Sequence, residues 1–581
     1  MPCASKKQRS LERWSLTAPL EAGPACLRYG IQWSICAVDT SSPAQCTDNY
    51  QREPGADKRR VFPYAGFCFS SAAICGSMDG FCKKRGVTGM EDLSRVELML
   101  FITVYVVIQI AIGLWFARGT KSDTDYYIAG GRLGYFPITL SLFATWFGAE
   151  TILGSSAAVA EGGLSGARAE PFGYAICLVA TAFLVAGKIR SHGYVTIADF
   201  FRDRFGKHAE FITAIVLVII SVIWAGAQLL AIAAILETTL GLPGVLTLFV
   251  AAGVVIFYSM FAGLIGDVVT DVVQGLFLMG GVLVLFVAIV HQFGGFAAML
   301  SVIEPDQLRL IAPGESLFTR ADAWAIPVIG SLVTQEVITR FLAAKSTSTA
   351  KAAAFSAAGL YVGIGMMPVL IGLSGAHMNV PGADGDNFIP AMAIEFLPPM
   401  LAIVFIGALF SAILSTVDSN LLAVSSLISI NILKKLHARS SERRQLMIAR
   451  FGTAFAGAGA LAVALGGSDI YELIALTSVF GQGAIVVATL IGLRTRFGGP
   501  MAALACIYTC VAFNLATLLV LPMMDAISDG MPMGPALQAT LAGDVEPIDG
   551  YFIYSVVVSL GAYVVAGLLE GPLRGGKPQK I

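Results

Sequence analysis

From Val96 onward the chain repeats a single pattern, about 20 consecutive apolar residues followed by a short polar stretch. That length suits a helix crossing a hydrocarbon core of ~30 Å. Each run is continuously apolar and does not alternate, which excludes the strands of a membrane barrel. Thirteen spans are predicted, at 96–116, 135–163, 170–189, 209–239, 244–262, 268–291, 319–341, 352–377, 399–430, 447–466, 470–492, 498–522 and 551–570. The expected fold is all-α and polytopic, with a membrane domain over 90–581. Its core is 135–492, and 96–116, 498–522 and 551–570 are flanking spans.

The first 89 residues do not share the pattern. They hold 12 Lys/Arg, 7 Asp/Glu and seven of the ten cysteines (Cys3, Cys26, Cys36, Cys46, Cys68, Cys75, Cys82). They have no apolar run suited to a signal peptide. Seven is odd, and without a CxxC pair or a histidine partner a disulfide or metal module is disfavoured. The expectation is a disordered extension, or one arising from an upstream start codon, with Met90 opening the folded protein.

Composition sharpens this in two ways. Only 13% of residues are charged, against about 25% in an ordinary soluble domain, so a water-soluble globule is excluded. The 38 basic and 39 acidic side chains nearly cancel, which argues against a nucleic-acid partner. That balance hides an asymmetry. Of the 26 basic residues after Met90, 22 fall on the side reached after the first span, leaving Arg95, Arg168, Arg309 and Arg320 opposite. Basic residues are retained in short cytoplasmic loops. The chain is therefore expected to cross the plasma membrane many times, N-terminus outside and C-terminus cytoplasmic.

Two spans are poor continuous helices. In the second, Phe143-Ala-Thr-Trp-Phe-Gly-Ala-Glu-Thr-Ile-Leu-Gly154 puts Gly148 and Glu150 at mid-membrane, where an ionised side chain costs at least ~2.5 kcal/mol. In the seventh, Pro327, Gly330, Ser331, Thr334, Gln335 and Glu336 interrupt the run at a comparable place. The two lie five spans apart, each opening a set of five. Interrupted helices in corresponding halves point to an inverted-repeat transporter whose site lies at the midplane, because unwinding frees carbonyls and amides to replace water.

Five further strings occur in order along these spans: Asp125-Tyr-Tyr-Ile-Ala-Gly-Gly-Arg132, Thr196-Ile-Ala-Asp-Phe-Phe-Arg-Asp-Arg-Phe-Gly206, Ala262-Gly-Leu-Ile-Gly-Asp-Val-Val-Thr-Asp-Val-Val-Gln274, Arg340-Phe-Leu-Ala-Ala-Lys-Ser346 and Ser411-Ala-Ile-Leu-Ser-Thr-Val-Asp-Ser419. On this topology they resemble the sodium:solute symporters over about 470 residues, from Val96 to the last span. The resemblance implies a LeuT-type fold of five plus five helices, spans 2 to 11, and sodium-driven uptake of a small organic solute. It implies Na+ as coupling ion and no other cofactor.

The ninth span can be read directly. Ser415 and Thr416 place two hydroxyls on one turn, with the Ala412 carbonyl a turn below. Hard cations want several oxygens and no soft ligands. The resemblance implies that Ala412, Ser415 and Thr416 join the carbonyls of Ala144 and Phe147 around sodium; the alternative is plain interhelical packing. Asp418 reads as a second cation contact, a water-linked relay or a structural carboxylate. Asp271 matches the family's Thr-Asp pair along the inward ion exit, with a helix-capping role as its alternative.

For the solute, Trp146 and Glu150 lie in the unwound stretch, Trp224 and Gln228 share a helix face, and Thr334 and Gln335 come from the other broken span. A tryptophan face beside a carboxylate suits an amine, amino acid or quaternary ammonium through cation–π attraction of roughly 0.5–2 kcal/mol. The Ala-Thr-Trp string is similar to that of the family's choline-carrying branch. The departure is Thr334, where that branch has a tryptophan, so one wall of an aromatic cage is expected to be missing. Glu336 is expected to pair with Arg340 at i,i+4, with solute contact as its alternative. The segment from Pro381 to Pro399, with Asp384 and Asp386, resembles the family's outer lid, or is a solvated loop.

The remaining chemistry is sparse. Cys177, Cys506 and Cys510 lie in apolar spans, the five histidines lack metal-ligand spacing, and no P-loop is present to use ATP. Nor does any catalytic constellation appear, so an enzyme is not expected. The competing reading is a transporter-like solute sensor without net transport.

Overall fold

The computed structural model describes residues 95–570 except 119–121, 168, 241–242, 434–439, 467–472, 474–476, 478–480, 529–530 and 535–549. The extension expected over 1–89 and the first part of the span expected at 470–492 lie outside the described residues. The helices that frame the membrane domain are α1 (Arg95–Ala117), α2 (Tyr135–Trp146), α3 (Ser155–Gly162), α4 (Phe172–Thr181), α5 (Lys207–Leu240), α6 (Gly244–Gln292), α7 (Leu317–Ile329), α8 (Gln335–Ala343), α9 (Thr347–Gly375), α10 (Pro399–Ser426), α11 (Glu442–Gly466), α12 (Gln482–Arg494), α13 (Pro500–Leu515) and α14 (Tyr551–Glu570).

Among the described residues, nine helices are long and apolar enough to cross a membrane, or up to eleven with each bent pair taken as one span. The expected count of thirteen is not reproduced. Two of the predicted spans, 244–262 and 268–291, run together as α6, and α12 is a short apolar helix of the eleventh. The 49 residues of α6 would reach ~73 Å at 1.5 Å per residue, more than twice a bilayer core. Gly263 resolves the excess. Its φ of 58° and ψ of −179° interrupt the helix, and the Tyr258 and Thr270 hydroxyls, twelve residues apart in sequence, meet at 2.5 Å across the bend. Only glycine tolerates that backbone region, and a Cβ there would lie 2.9 Å from the Tyr126 ring. Gly263→Ala is expected to destabilise the protein by about 1–3 kcal/mol, read as a lower unfolding temperature in detergent.

The most enclosed span is Pro399–Ile432, 83% buried, whereas Val96–Phe116 is 28% buried. α10 is thus the centre of the bundle and α1 lies on its periphery. It packs along α5, α6 and α11, where small residues allow close approach. Gly457 faces Leu421 of α10 and Ile256 of α6. The two broken helices are clipped together at one end: Leu133, just before α2, donates its amide to Ala343 O and accepts from the Lys345 amide, both at 2.9 Å. The turn Gly385–Asn387 rests on the π-turn Glu150–Gly154 and on α3.

Candidate functional site

Both interruptions form where the sequence supplies breakers. α2 stops at Trp146, Phe147 takes φ −78° and ψ 68°, and the Gly148 amide donates to Trp146 O at 2.8 Å. This is an inverse γ-turn. The chain resumes as the π-turn Glu150–Gly154 and leaves at 61° to α2. In the second broken span Pro327 lies inside α7, where it lacks an amide donor. The helix tightens over Gly330–Val333, and Thr334 is extended at φ −62°, ψ 142°. α8 then continues at 45°.

At the first break the Thr416 hydroxyl lies 3.5 Å from Ala144 O and 3.3 Å from Ala412 O. Three of the five residues expected to hold sodium therefore present oxygens to one point. Phe147, fully buried, is the pivot of the turn. Ser415 sits on the neighbouring face, its hydroxyl donating to Asp271 Oδ1 at 2.5 Å. Gly148 closes the group from the other side: a Cβ there would lie 3.0 Å from Thr416 Oγ1 and 3.3 Å from Gln228 Oε1. That Gln228 oxygen is buried without a hydrogen-bond partner, which leaves an acceptor lone pair facing the group.

Asp271 is not a helix cap. Ser141 Oγ donates to its Oδ2 at 2.5 Å, and Arg340 Nη2 to the same oxygen at 3.1 Å. Arg340 is wholly buried and also donates to Asp267 Oδ2 at 2.8 Å, Ser141 Oγ at 3.0 Å and the hydroxyl of Ser419. The i,i+4 salt bridge expected between Glu336 and Arg340 does not form; Arg340 Nη1 donates instead to the Glu336 backbone carbonyl at 2.9 Å. The guanidinium is taken up by Asp267 and Asp271, and the Glu336 carboxylate by the Trp146 indole. Asp418 is buried beside this cluster with Oδ2 lacking a hydrogen-bond partner.

The Glu336 carboxylate turns to the first break, accepting from the Trp146 indole at 3.3 Å. The Trp146 ring lies 5.1 Å from that of Tyr174, whose hydroxyl donates to Glu150 Oε2 at 2.9 Å. Tyr361 adds a third ring, 5.8 Å from Tyr174 and 5.2 Å from Phe147, and its hydroxyl donates to Trp146 O at 3.2 Å. Two tyrosines, from α4 and α9, thus stand with Trp146 at this break. Neither was distinguishable in the sequence from other aromatics of apolar spans.

The structure does not bring every expected residue here. Gln335 is buried away from the first break: its Oε1 accepts from the Ile197 amide at 2.9 Å and its Nε2 donates to Thr339 at 3.1 Å. It serves an orphan donor at the start of the helix Ile197–Phe205. Trp224 packs against Ala227 and Leu473. Thr334 is the extended link itself, its hydroxyl 3.4 Å from Ser331 O.

Two interrupted helices, an oxygen cluster at one break and a group of aromatic and acidic side chains beside it define a secondary transporter of broken-helix architecture. Residues 126–508, more than half the chain, match the family model described as the sodium:solute symporter family. High-affinity choline transporter 1 of Caenorhabditis elegans is 26% identical over 413 residues, covering 66% of this chain and 71% of that protein. The human high-affinity choline transporter 1 is 26% identical over 411 residues, covering 66% and 70%. The sodium/glucose cotransporter of Vibrio parahaemolyticus is 28% identical over 399 residues, covering 61% and 72%. Among solved structures, the substrate-bound outward-open state of a sodium-coupled sialic acid symporter superposes with a TM-score of 0.67 at 18% identity, over 82% of this chain and 97% of that one. The nucleobase-cation-symport-1 family transporter Mhp1 gives 0.51 at 14% identity, over 78% and 95%. The fold is of the LeuT type. The chain belongs to the sodium:solute symporter family and is a sodium-coupled solute symporter.

Proposed function

We propose that this symporter imports a small cationic amine across the plasma membrane, with quaternary ammonium compounds and amino acids in the same range. The observation that carries the reading is the Tyr174 hydroxyl on Glu150 with the Tyr174 ring against Trp146. An aromatic wall beside a carboxylate favours a cation over a sugar or an acid. The choline transporters among the relatives support the same class. Sodium enters at Ala144, Phe147, Ala412, Ser415 and Thr416, and leaves inward past Asp271 and Asp418. Glu150, Trp146 and Gln228 contact the solute, and the Pro381–Pro399 segment closes over them. The basic asymmetry of the loops supports an external N-terminus and a cytoplasmic C-terminus. One sodium moving down ~100 mV contributes about 2.3 kcal/mol to each cycle.

The test is uptake into proteoliposomes under an imposed sodium gradient with choline, proline, glucose and sialic acid. The amine is expected to accumulate only with the gradient. Trp146→Ala should raise its half-saturating concentration by about 2- to 30-fold, the equivalent of the lost cation–π attraction. Accumulation of glucose or sialic acid in place of every amine overturns the reading.

A further inference from the structure

Beside Glu150 and the indole-bonded Glu336 stands a third carboxylate that no protein group engages. Glu170 stands just before the helix beginning at Phe172 and is 8% exposed, yet neither of its carboxylate oxygens has a hydrogen-bond partner. The Thr151 hydroxyl beside it is engaged with the Tyr361 hydroxyl. The groups within reach of its charge are Glu150, Tyr174 and Tyr361. A buried carboxylate without a partner is costly, and a second carboxylate close by makes joint ionisation costlier still. A cation between them relieves both. A quaternary ammonium group brings only one charge and no N–H donors, so it leaves Glu170 without a hydrogen bond.

We propose that the transported solute carries two cationic nitrogens, as an aliphatic diamine does. This rests on the amine reading above. One nitrogen binds at Glu150 between Trp146 and Tyr174; the other donates to the two free oxygens of Glu170 near Tyr361 and Thr151. The hydrocarbon linker lies along the tyrosine rings. Glu170 is then the residue that discriminates diamines from monoamines.

The experiment is sodium-gradient uptake by the full chain in proteoliposomes, with 1,4-diaminobutane, 1-aminobutane and choline as probes. It is run on the wild type, Glu170→Gln and, because the first variant may fold poorly, Glu170→Asp. The wild type is expected to take 1,4-diaminobutane at a half-saturating concentration at least tenfold below that of 1-aminobutane. Glu170→Gln should collapse this ratio towards one, and Glu170→Asp should retain part of it. Equal half-saturation for the two probes in the wild type, or a ratio untouched by Glu170→Gln, overturns the inference and makes Glu170 a protonated structural carboxyl. Accumulation of choline without competition by the diamine also overturns it while leaving the amine reading intact. If no amine accumulates, the amine reading itself has failed.

Discussion

Replacing Arg340 with alanine is expected to destabilise the protein by about 3–5 kcal/mol, the cost of removing one partner of a buried ion pair. The guanidinium is 1% exposed and serves Asp267, Asp271, Ser141, Ser419 and the Glu336 carbonyl together. Without it, two buried carboxylates face each other with no cation from the protein. Arg340→Lys keeps the charge but not the planar fork that reaches several acceptors, so it should recover only part of the loss. Asp267→Asn in the alanine background removes one of the stranded charges and should restore stability partially. Thermal unfolding in detergent decides the matter: an Arg340→Ala protein melting at the wild-type temperature would show that the cluster is not held by this side chain.

Thr416→Ala is expected to raise the sodium concentration for half-maximal uptake by about 10- to 150-fold. That range corresponds to ~1.5–3 kcal/mol for a polar contact to a charged group. The basis is the position of the hydroxyl, within 3.5 Å of the Ala144 and Ala412 carbonyls. Ser415→Ala should act more weakly on sodium, since its hydroxyl is already given to Asp271. Sodium-activation curves for both variants test the ranking. A Thr416→Ala protein with the wild-type curve would remove this residue from the ion site.

The breaks were legible in the sequence because Gly148, Glu150, Pro327 and Gly330 stand out inside apolar runs, and the structure bends the chain beside them. The oxygen cluster was less so: Ser415 and Thr416 show as two hydroxyls on one turn, but their grouping with Ala144 and Ala412 came from the family resemblance. What stayed hidden depends on contacts distant in sequence. The pairing of Glu336 with Arg340 rests on local spacing, whereas the carboxylates that Arg340 meets, Asp267 and Asp271, lie 73 and 69 residues away. Tyr174 and Tyr361 look like any other aromatic in an apolar span until folding aligns them on Trp146. Gln335 carries the polarity of a binding residue but spends it on the Ile197 amide. The turn at Gly263 was anticipated as a gap between two spans, and the sharpness of the bend comes from its positive φ.

The bond from the Trp146 indole to Glu336 has a thermodynamic meaning of its own. From Trp146 the chain of contacts runs through Glu336 to Arg340, then to Asp271 and Ser415. The ring against which a solute would lie and the residue adjoining the ion cluster are therefore members of one bonded series. Linkage is reciprocal for equilibrium binding. Whatever factor sodium contributes to solute affinity, the solute must return in full to sodium. Where that factor exceeds one, the carrier loaded with both is favoured over either half-loaded form.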